Sequence, residues 1–222
     1  MKLGIVSDLH LEFKLHDQYA MDSIRDQINS CEADRIVFAG DTCAPKFDRD
    51  LFLSTITKPY FSILGNHDYY TQTWYDDYQE DDLMTGGCLW TNFNNDPTAK
   101  YLASRYINDF RVIKGFTVDK CEEIYYNHLE KIFASDKEIV VTHFPPSFRH
   151  IRPEFAGDPL NGYFCNNLDE RIMDSNKKLW ICGHVHTRYD YMIGNCRVVS
   201  NDYGYMNEQK KLGPWTVKII EI

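Results

Sequence analysis

Five short blocks, in one order along 222 residues, constrain this chain more than anything else in it. They are Asp8-Leu9-His10, Gly40-Asp41, Gly65-Asn66-His67-Asp68, a lone His143, and Gly183-His184-Val185-His186. Together they supply Asp, His, Asp, Asn, His, His and His, with His67 left over. That nitrogen-and-oxygen donor set is large enough for two divalent metal ions. Each block alone is a weak signal, because a lone Gly-Asp or Gly-Asn-His-Asp is usually just a turn. Their joint placement is strong, because each follows a short apolar run. Leu3–Val6, Ile36–Ala39, Tyr60–Leu64, Ile139–Thr142 and Leu179–Cys182 all read as strands. Strand ends hold side chains rigidly, and the loops that follow let donors converge.

Between the strands lie helical patterns. Met21, Ile24 and Ile28 share one face, as do Ala103, Tyr106, Ile107 and Phe110. Val118, Cys121, Tyr125, Leu129 and Ile132 form a longer stripe that Thr117 is placed to cap. Tyr189–Ile193 and Cys196–Ser200 flank Gly194-Asn195, a hairpin signal. Trp215–Ile219 reads as a last strand. The hairpin implies antiparallel pairing and so mixed sheets, while periodicity alone gives an α/β chain of one domain over residues 1–222.

Composition excludes several function classes. The formal charge of −9 argues against general binding to nucleic acid or anionic lipid. No apolar run approaches the roughly 18 residues of a membrane span. Met1–Val6 turns polar at Ser7-Asp8 and reads as a strand, not a signal peptide. Seven scattered cysteines without a C-x-x-C pair read as reduced, mostly buried thiols, which predicts a cytoplasmic protein. Cys182, beside the last block, reads as a small buried residue. His16 and His128 match no block and are expected on the surface or a helix face.

The blocks resemble those of the calcineurin-like metallophosphoesterase superfamily: D-x-H, G-D, G-N-H-D/E, a lone H and G-H-x-H. The match runs from Ser7 to His186. The resemblance implies a four-layer αββα sandwich of two mixed β-sheets flanked by helices. It also implies a dinuclear, metal-dependent phosphoesterase. One ion would take Asp8, His10, Asp41 and His186, and the other Asp41, Asn66, His143 and His184, with Asp41 as the bridge. Phosphate esters resist hydrolysis because an anion must attack an anion. A metal pair neutralises the phosphate oxygens and generates hydroxide at neutral pH. His67 would act as general acid on the leaving group. Imidazole and carboxylate donors suit Mn²⁺, Fe²⁺, Co²⁺, Ni²⁺ or Zn²⁺, with Mn²⁺ the expected ion for activity in vitro.

The protein phosphatase branch of the superfamily carries G-D-x-x-D-R-G, whose extra Asp orients the histidine. Here that stretch is Gly40-Asp41-Thr42-Cys43-Ala44-Pro45, which weakens a protein phosphatase reading and leaves His67 without an assigned partner. Asp68 is expected to buttress its loop. A nuclease like the double-strand-break repair nucleases shares all five blocks but needs a basic groove. Here Pro59–Ala99 holds seven acidic residues and no Lys or Arg. A non-catalytic binding scaffold of this fold is the remaining alternative. The preferred expectation is hydrolysis of small phosphate mono- or diesters, nucleotides included. No duplex nucleic acid or membrane partner is expected, and no oligomeric state is implied. Tyr70, Trp74 and Tyr78 are candidates for an apolar wall or an outer helix. The Pro-rich stretch Phe144–Cys165 offers Arg149 and His150 as candidate substrate contacts, Arg149 because guanidinium binds phosphate oxygens bidentately.

Overall fold

The structure is a computed structural model and describes residues 1–71 and 77–222. The chain opens with β1 (Lys2–Val6), α1 (Gln18–Ser30), β2 (Arg35–Ala39), α2 (Lys46–Ser54) and β3 (Tyr60–Ile63). Then come β4 (Gln79–Glu80), β5 (Met84–Gly87), α3 (Pro97–Tyr106), α4 (Asp109–Val112), α5 (Val118–Ala134) and β6 (Ile139–Thr142). It ends with α6 (Asn161–Phe164), α7 (Asp169–Met173), β7 (Leu179–Cys182), β8 (Asp190–Ile193), β9 (Cys196–Ser200), α8 (Gln209–Leu212) and β10 (Lys218–Glu221).

Two mixed sheets result. The first has the order β10-β1-β2-β3, with β10 antiparallel and the rest parallel. The second has the order β4-β5-β6-β7-β9-β8, with β4 and β8 as antiparallel edges. Alternation along the strands builds the layers, since successive side chains point to opposite faces. Leu3, Ile5, Val37 and Ala39 of the first sheet pack against Val141, Leu179 and Ile181 of the second. Their neighbours Ile36 and Phe38 face Ile24 and Ile28 of α1 and Phe52 of α2. On the far side, Val140, Trp180 and Val198 face Tyr125, Leu129 and Ile132 of α5. This is the expected four-layer αββα sandwich.

The long stripes form helices where a cap starts them. Thr117 accepts from Lys120 N–H at 3.1 Å to begin α5, and Asp17 accepts from Ala20 N–H at 3.0 Å to begin α1. The stripe Ala103–Phe110 is corrected. The helix stops at Tyr106, Ile107 is extended, and a new turn starts after Asn108. The break turns Asp109 inward, where it is buried. His128 lies on the buried face of α5 and not on the surface, and its Nδ1 accepts from Leu89 N–H at 3.2 Å. The last strand begins three residues later than expected. Trp215 leaves the sheet to bury its ring and donates Nε1–H to Asn201 O. Among the described residues no helix is long and apolar enough to cross a membrane.

The sheet seam makes a specific demand at Gly86. A Cβ built there lies 1.7 Å from Val141 O on the neighbouring strand. Gly86→Ala must push β5 from β6 and is expected to destabilise the fold by about 1–3 kcal/mol, the usual range for overpacking. A urea midpoint equal to that of the wild type would contradict this account of the seam.

Candidate metal centre and active site

The parallel strands β1, β2 and β3 of one sheet and β6 and β7 of the other end at one edge, and each runs directly into a block. Close approach there requires Gly40. Its φ is +91°, and a Cβ would lie 2.6 Å from His143 Nδ1. Five of the seven expected ligands also adopt left-handed backbone: Asp8 (φ 54°), His10 (46°), Asp41 (50°), His184 (75°) and His186 (49°). Such conformations are unfavourable by about 1–3 kcal/mol each and persist only when their surroundings hold them. Here Asp8 N–H donates to Gly40 O at 3.1 Å, His10 N–H to Asp41 O at 3.0 Å, and His184 N–H to Asp8 Oδ1 at 3.1 Å. Asp68 is a loop buttress, with Oδ2 accepting from Gly65 N–H at 2.8 Å and Asp41 N–H at 3.0 Å.

The seven side chains converge as two groups that share one oxygen. His10 Nε2 lies 3.0 Å from His186 Nε2, and His186 Nε2 lies 3.4 Å from Asp8 Oδ1. On the other side, Asn66 Oδ1 lies 2.9 Å from His143 Nε2 and 3.1 Å from His184 Nδ1. Asp41 Oδ2 stands 3.6 Å from His10 Nε2 and 3.4 Å from His143 Nε2. Each group draws from both sheets: His143, His184 and His186 follow strands of the second, and the other four follow strands of the first.

Outer partners aim these donors. His10 Nδ1 faces Glu12 Oε1 at 3.1 Å, His143 Nδ1 faces Ala39 O at 2.9 Å, and His186 Nδ1 faces Glu208 Oε2 at 2.5 Å. With Nδ1–H donated outward, each Nε2 lone pair is directed inward, the arrangement a metal-binding histidine uses. Asn66 is fixed likewise. Its Nδ2 donates to both Asp109 oxygens at 3.2 and 3.1 Å, which leaves Oδ1 facing the two histidines. Tyr70 and Tyr163 hydroxyls also donate to Asp109. The donor set therefore fits divalent cations. Its electrostatics agree. Burial disfavours charge on His143, yet Asp41 outweighs this and lifts it to about 10; burial likewise opposes His186, and Asp8 and Glu208 lift it to about 10. The buried carboxylates beside His143 and His186 favour positive charge at the centre, whereas burial and the neighbouring His143 hold His184 well below the usual imidazole range.

His67 stands at the rim of this centre. Its backbone N–H donates to Asp41 Oδ1 at 2.9 Å, and its ring stacks on Tyr70 with centroids 4.5 Å apart. Nδ1 lies 3.3 Å from Glu12 Oε1, the oxygen that also holds His10. Glu12 is thus the partner that sequence reasoning left unassigned. Its signal was the alternation Asp8-x-His10-x-Glu12. Asp109, Asp202, Tyr205 and Glu208 were also missed. Asp202 accepts from Ser7 Oγ at 2.8 Å and Thr187 N–H at 2.9 Å beneath the Asp8 loop. These residues lie in no block, and only the fold brings them in.

The site opens into a cleft of about 450 Å³. Its apolar wall comes from Ile107, Ile151, Phe155, Leu160 and Phe164. Tyr70 instead hydrogen-bonds beneath the site, Tyr78 immediately precedes β4, and Trp74 lies outside the described residues. Arg149 is not brought to the cleft. It is half-exposed, pairs with Asp169 at 3.0 Å and donates to Met192 O at 2.9 Å, because the loop carries it around toward β8. His150 does border the cleft, but it is buried. Nδ1 meets Tyr191 Oη at 2.7 Å and Nε2 meets Cys182 Sγ at 3.4 Å, and burial lowers its pKa to about 3. A neutral, doubly engaged ring is no phosphate anchor.

Asp109 supplies a test of the second group. Asp109→Ala frees the Asn66 amide to turn, and is expected to weaken metal binding at Asn66, His143 and His184 by roughly 10–100-fold. The Asp8, His10 and His186 group should keep its affinity. Metal titration that shows equal weakening at both would remove Asp109 from this role.

Comparison with known proteins bears on the family and the fold. The family model for calcineurin-like phosphoesterases matches residues 1–188. No curated protein matches the sequence. Among solved structures, a phosphopantetheinyl hydrolase from Mycobacterium tuberculosis is similar over 99% of this chain and 95% of its own, with TM-score 0.71 and 14% identity. A conserved uncharacterized protein of Streptococcus pneumoniae, a predicted phosphoesterase, is similar over 90% and 71%, with TM-score 0.39 and 13% identity. At such identity the first likeness bears on the fold alone, and it is the sandwich described above. With the family model spanning all five blocks, the chain belongs to the calcineurin-like phosphoesterases.

Proposed function

We propose that this protein, acting as one domain over residues 1–222, is a dinuclear metal-dependent hydrolase of small phosphate mono- or diesters, nucleotides included. The observation that carries the reading is Asp41 Oδ2, which lies within 3.6 Å of His10 Nε2 and 3.4 Å of His143 Nε2 and so is shared by two donor groups. Asp8, His10, Asp41 and His186 would hold one ion, and Asp41, Asn66, His143 and His184 the other. Bound there, two divalent ions supply neutralisation of the phosphate oxygens and a water acidic enough to ionise at neutral pH. Mn²⁺ is our assignment for activity in vitro, and Fe²⁺, Zn²⁺, Ni²⁺ and Co²⁺ suit the same donors.

The chain's own groups handle the organic part. His67 protonates the leaving oxygen, with Glu12 on Nδ1 favouring the charged ring that can donate from Nε2. The cleft wall of Ile107, Ile151, Phe155 and Leu160 excludes water and receives the leaving group. The volume of the cleft and its charge limit the size of the substrate. Among the described residues lining the cleft, Arg152 is the one Lys or Arg, far short of the track a duplex needs. Seven free cysteines, six of them buried, support a reducing, cytoplasmic setting.

Chelation should abolish turnover, and Mn²⁺ should restore it. Asp41→Asn should weaken both ions, and Asp8→Asn mainly one. Metal-saturated, active protein carrying a single ion would sink the dinuclear reading.

His67→Ala should retain both ions but slow alkyl phosphates by roughly 10²–10⁴-fold. Nitrophenyl esters need no proton and should suffer less. Equal losses would assign His67 to phosphate positioning instead.

A panel of mononucleotides, generic esters and duplex DNA separates the remaining classes. Turnover of the small esters with intact DNA is expected. Cleaved duplex with no small-ester turnover would favour a nuclease.

A further inference from the structure

The family model ends at residue 188, yet the active-site cleft continues into the chain beyond it. After β9 the backbone crosses back over the metal centre. Tyr203 N–H donates to Ser7 O at 2.9 Å, and Gly204 N–H donates to Asp8 O at 3.0 Å. These two bonds fix the next residue, Tyr205, directly above the donors. Its ring lies 4.6 Å from that of His10, tilted at 34°, and meets His186 edge-on at 4.6 Å. Its N–H donates to Glu208 Oε2 at 3.0 Å, the same oxygen that takes His186 Nδ1 at 2.5 Å. Its hydroxyl lies 3.3 Å from His67 Nε2.

The other ring nitrogen of His67 faces Glu12. The hydroxyl can donate to Nε2 of a neutral ring or accept from Nε2–H of a charged one, so the pair holds in either state. Tyr205 and His67 both line the cleft. An oxygen that approaches Nε2 from the cleft therefore meets the phenol hydroxyl beside it.

We propose that Tyr205 is a second catalytic residue at the leaving-group end of the cleft. Its hydroxyl pairs with His67 Nε2 in the free protein and turns to hydrogen-bond the ester oxygen in the complex, so that two donors face one leaving oxygen. This rests on the phosphoesterase reading above and adds a residue outside the matched family segment. The hydroxyl forms a hydrogen bond only; the proton that leaves with the ester oxygen is that of His67.

Tyr205→Phe deletes the hydroxyl and keeps the ring. With metal content equal to that of the wild type, kcat/KM should fall about tenfold for alkyl esters, the loss expected for one hydrogen bond, and by less than about twofold for nitrophenyl esters. In a His67→Ala background the same change should still slow alkyl esters, since the hydroxyl is then the remaining donor of the pair to that oxygen. Parallel losses across leaving groups, or no further loss in the His67→Ala background, would overturn the proposal. A measurement independent of turnover accompanies this one. In Zn²⁺-loaded protein with ¹⁵N-labelled histidine, Tyr205→Phe should move the His67 Nε2 resonance. An unmoved resonance overturns the pairing even if no ester is hydrolysed. A wild type silent on every ester would bring down the phosphoesterase reading instead, with the resonance still deciding the contact.

Discussion

Buried Asp41 makes contacts to three separate segments. Oδ2 faces ring nitrogens from both sheets, Oδ1 accepts from His67 N–H, the carbonyl accepts from His10 N–H, and its own N–H donates to Asp68. An unpaired carboxylate in such a place would be prohibitive, because burial opposes the charged form. That burial is outweighed by His143 and His67, which hold Asp41 well below the usual carboxylate range. The charge is then passed outward in shells. Burial beside Asp41 pushes Asp68 up to about 7, with Arg49 opposing from 3.4 Å. Left-handed backbone at the ligands is tolerated because this web leaves each loop few alternatives.

The surroundings of His67 depend on the same web through Glu12. One of its oxygens lies between His10 and His67, and the other accepts from Ala44 N–H at 3.1 Å. Ala44 stands in the stretch where the protein phosphatase branch carries its extra Asp and Arg. In this chain it is Glu12, two positions past His10, whose carboxylate faces His67 Nδ1.

How much of this was readable in the sequence follows from how local each signal is. The strand before each block was visible because four or five apolar residues in a row, bounded by polar turns, suit a buried strand and little else, and β6, β7 and β9 match residue for residue. The α5 stripe was visible because its cap and its period agree. The break after Tyr106 was not, because its cause is distant: Asp109 is drawn inward by Asn66, Tyr70 and Tyr163. His128 and Arg149 failed for the same kind of reason. One is enclosed by backbone 39 residues away, and the other is carried off by a loop whose path its own residues do not encode. The cleft wall was sought beside His67, but it is formed largely by the Pro-rich loop after His143, which sequence reading had searched only for charge.

The division of donors between the sheets has a thermodynamic consequence. The first group joins Asp8, His10 and Asp41 of one sheet to His186 of the other, and the second joins Asp41 and Asn66 to His143 and His184. An ion held by either group is a rivet through the seam between layers. Ligands that bind only the native state stabilise it by RT ln(1 + [L]/Kd), about 2.7 kcal/mol at a hundredfold excess over Kd. Under the proposed function, metal binding would then add to the stability of the fold as well as supply the chemistry.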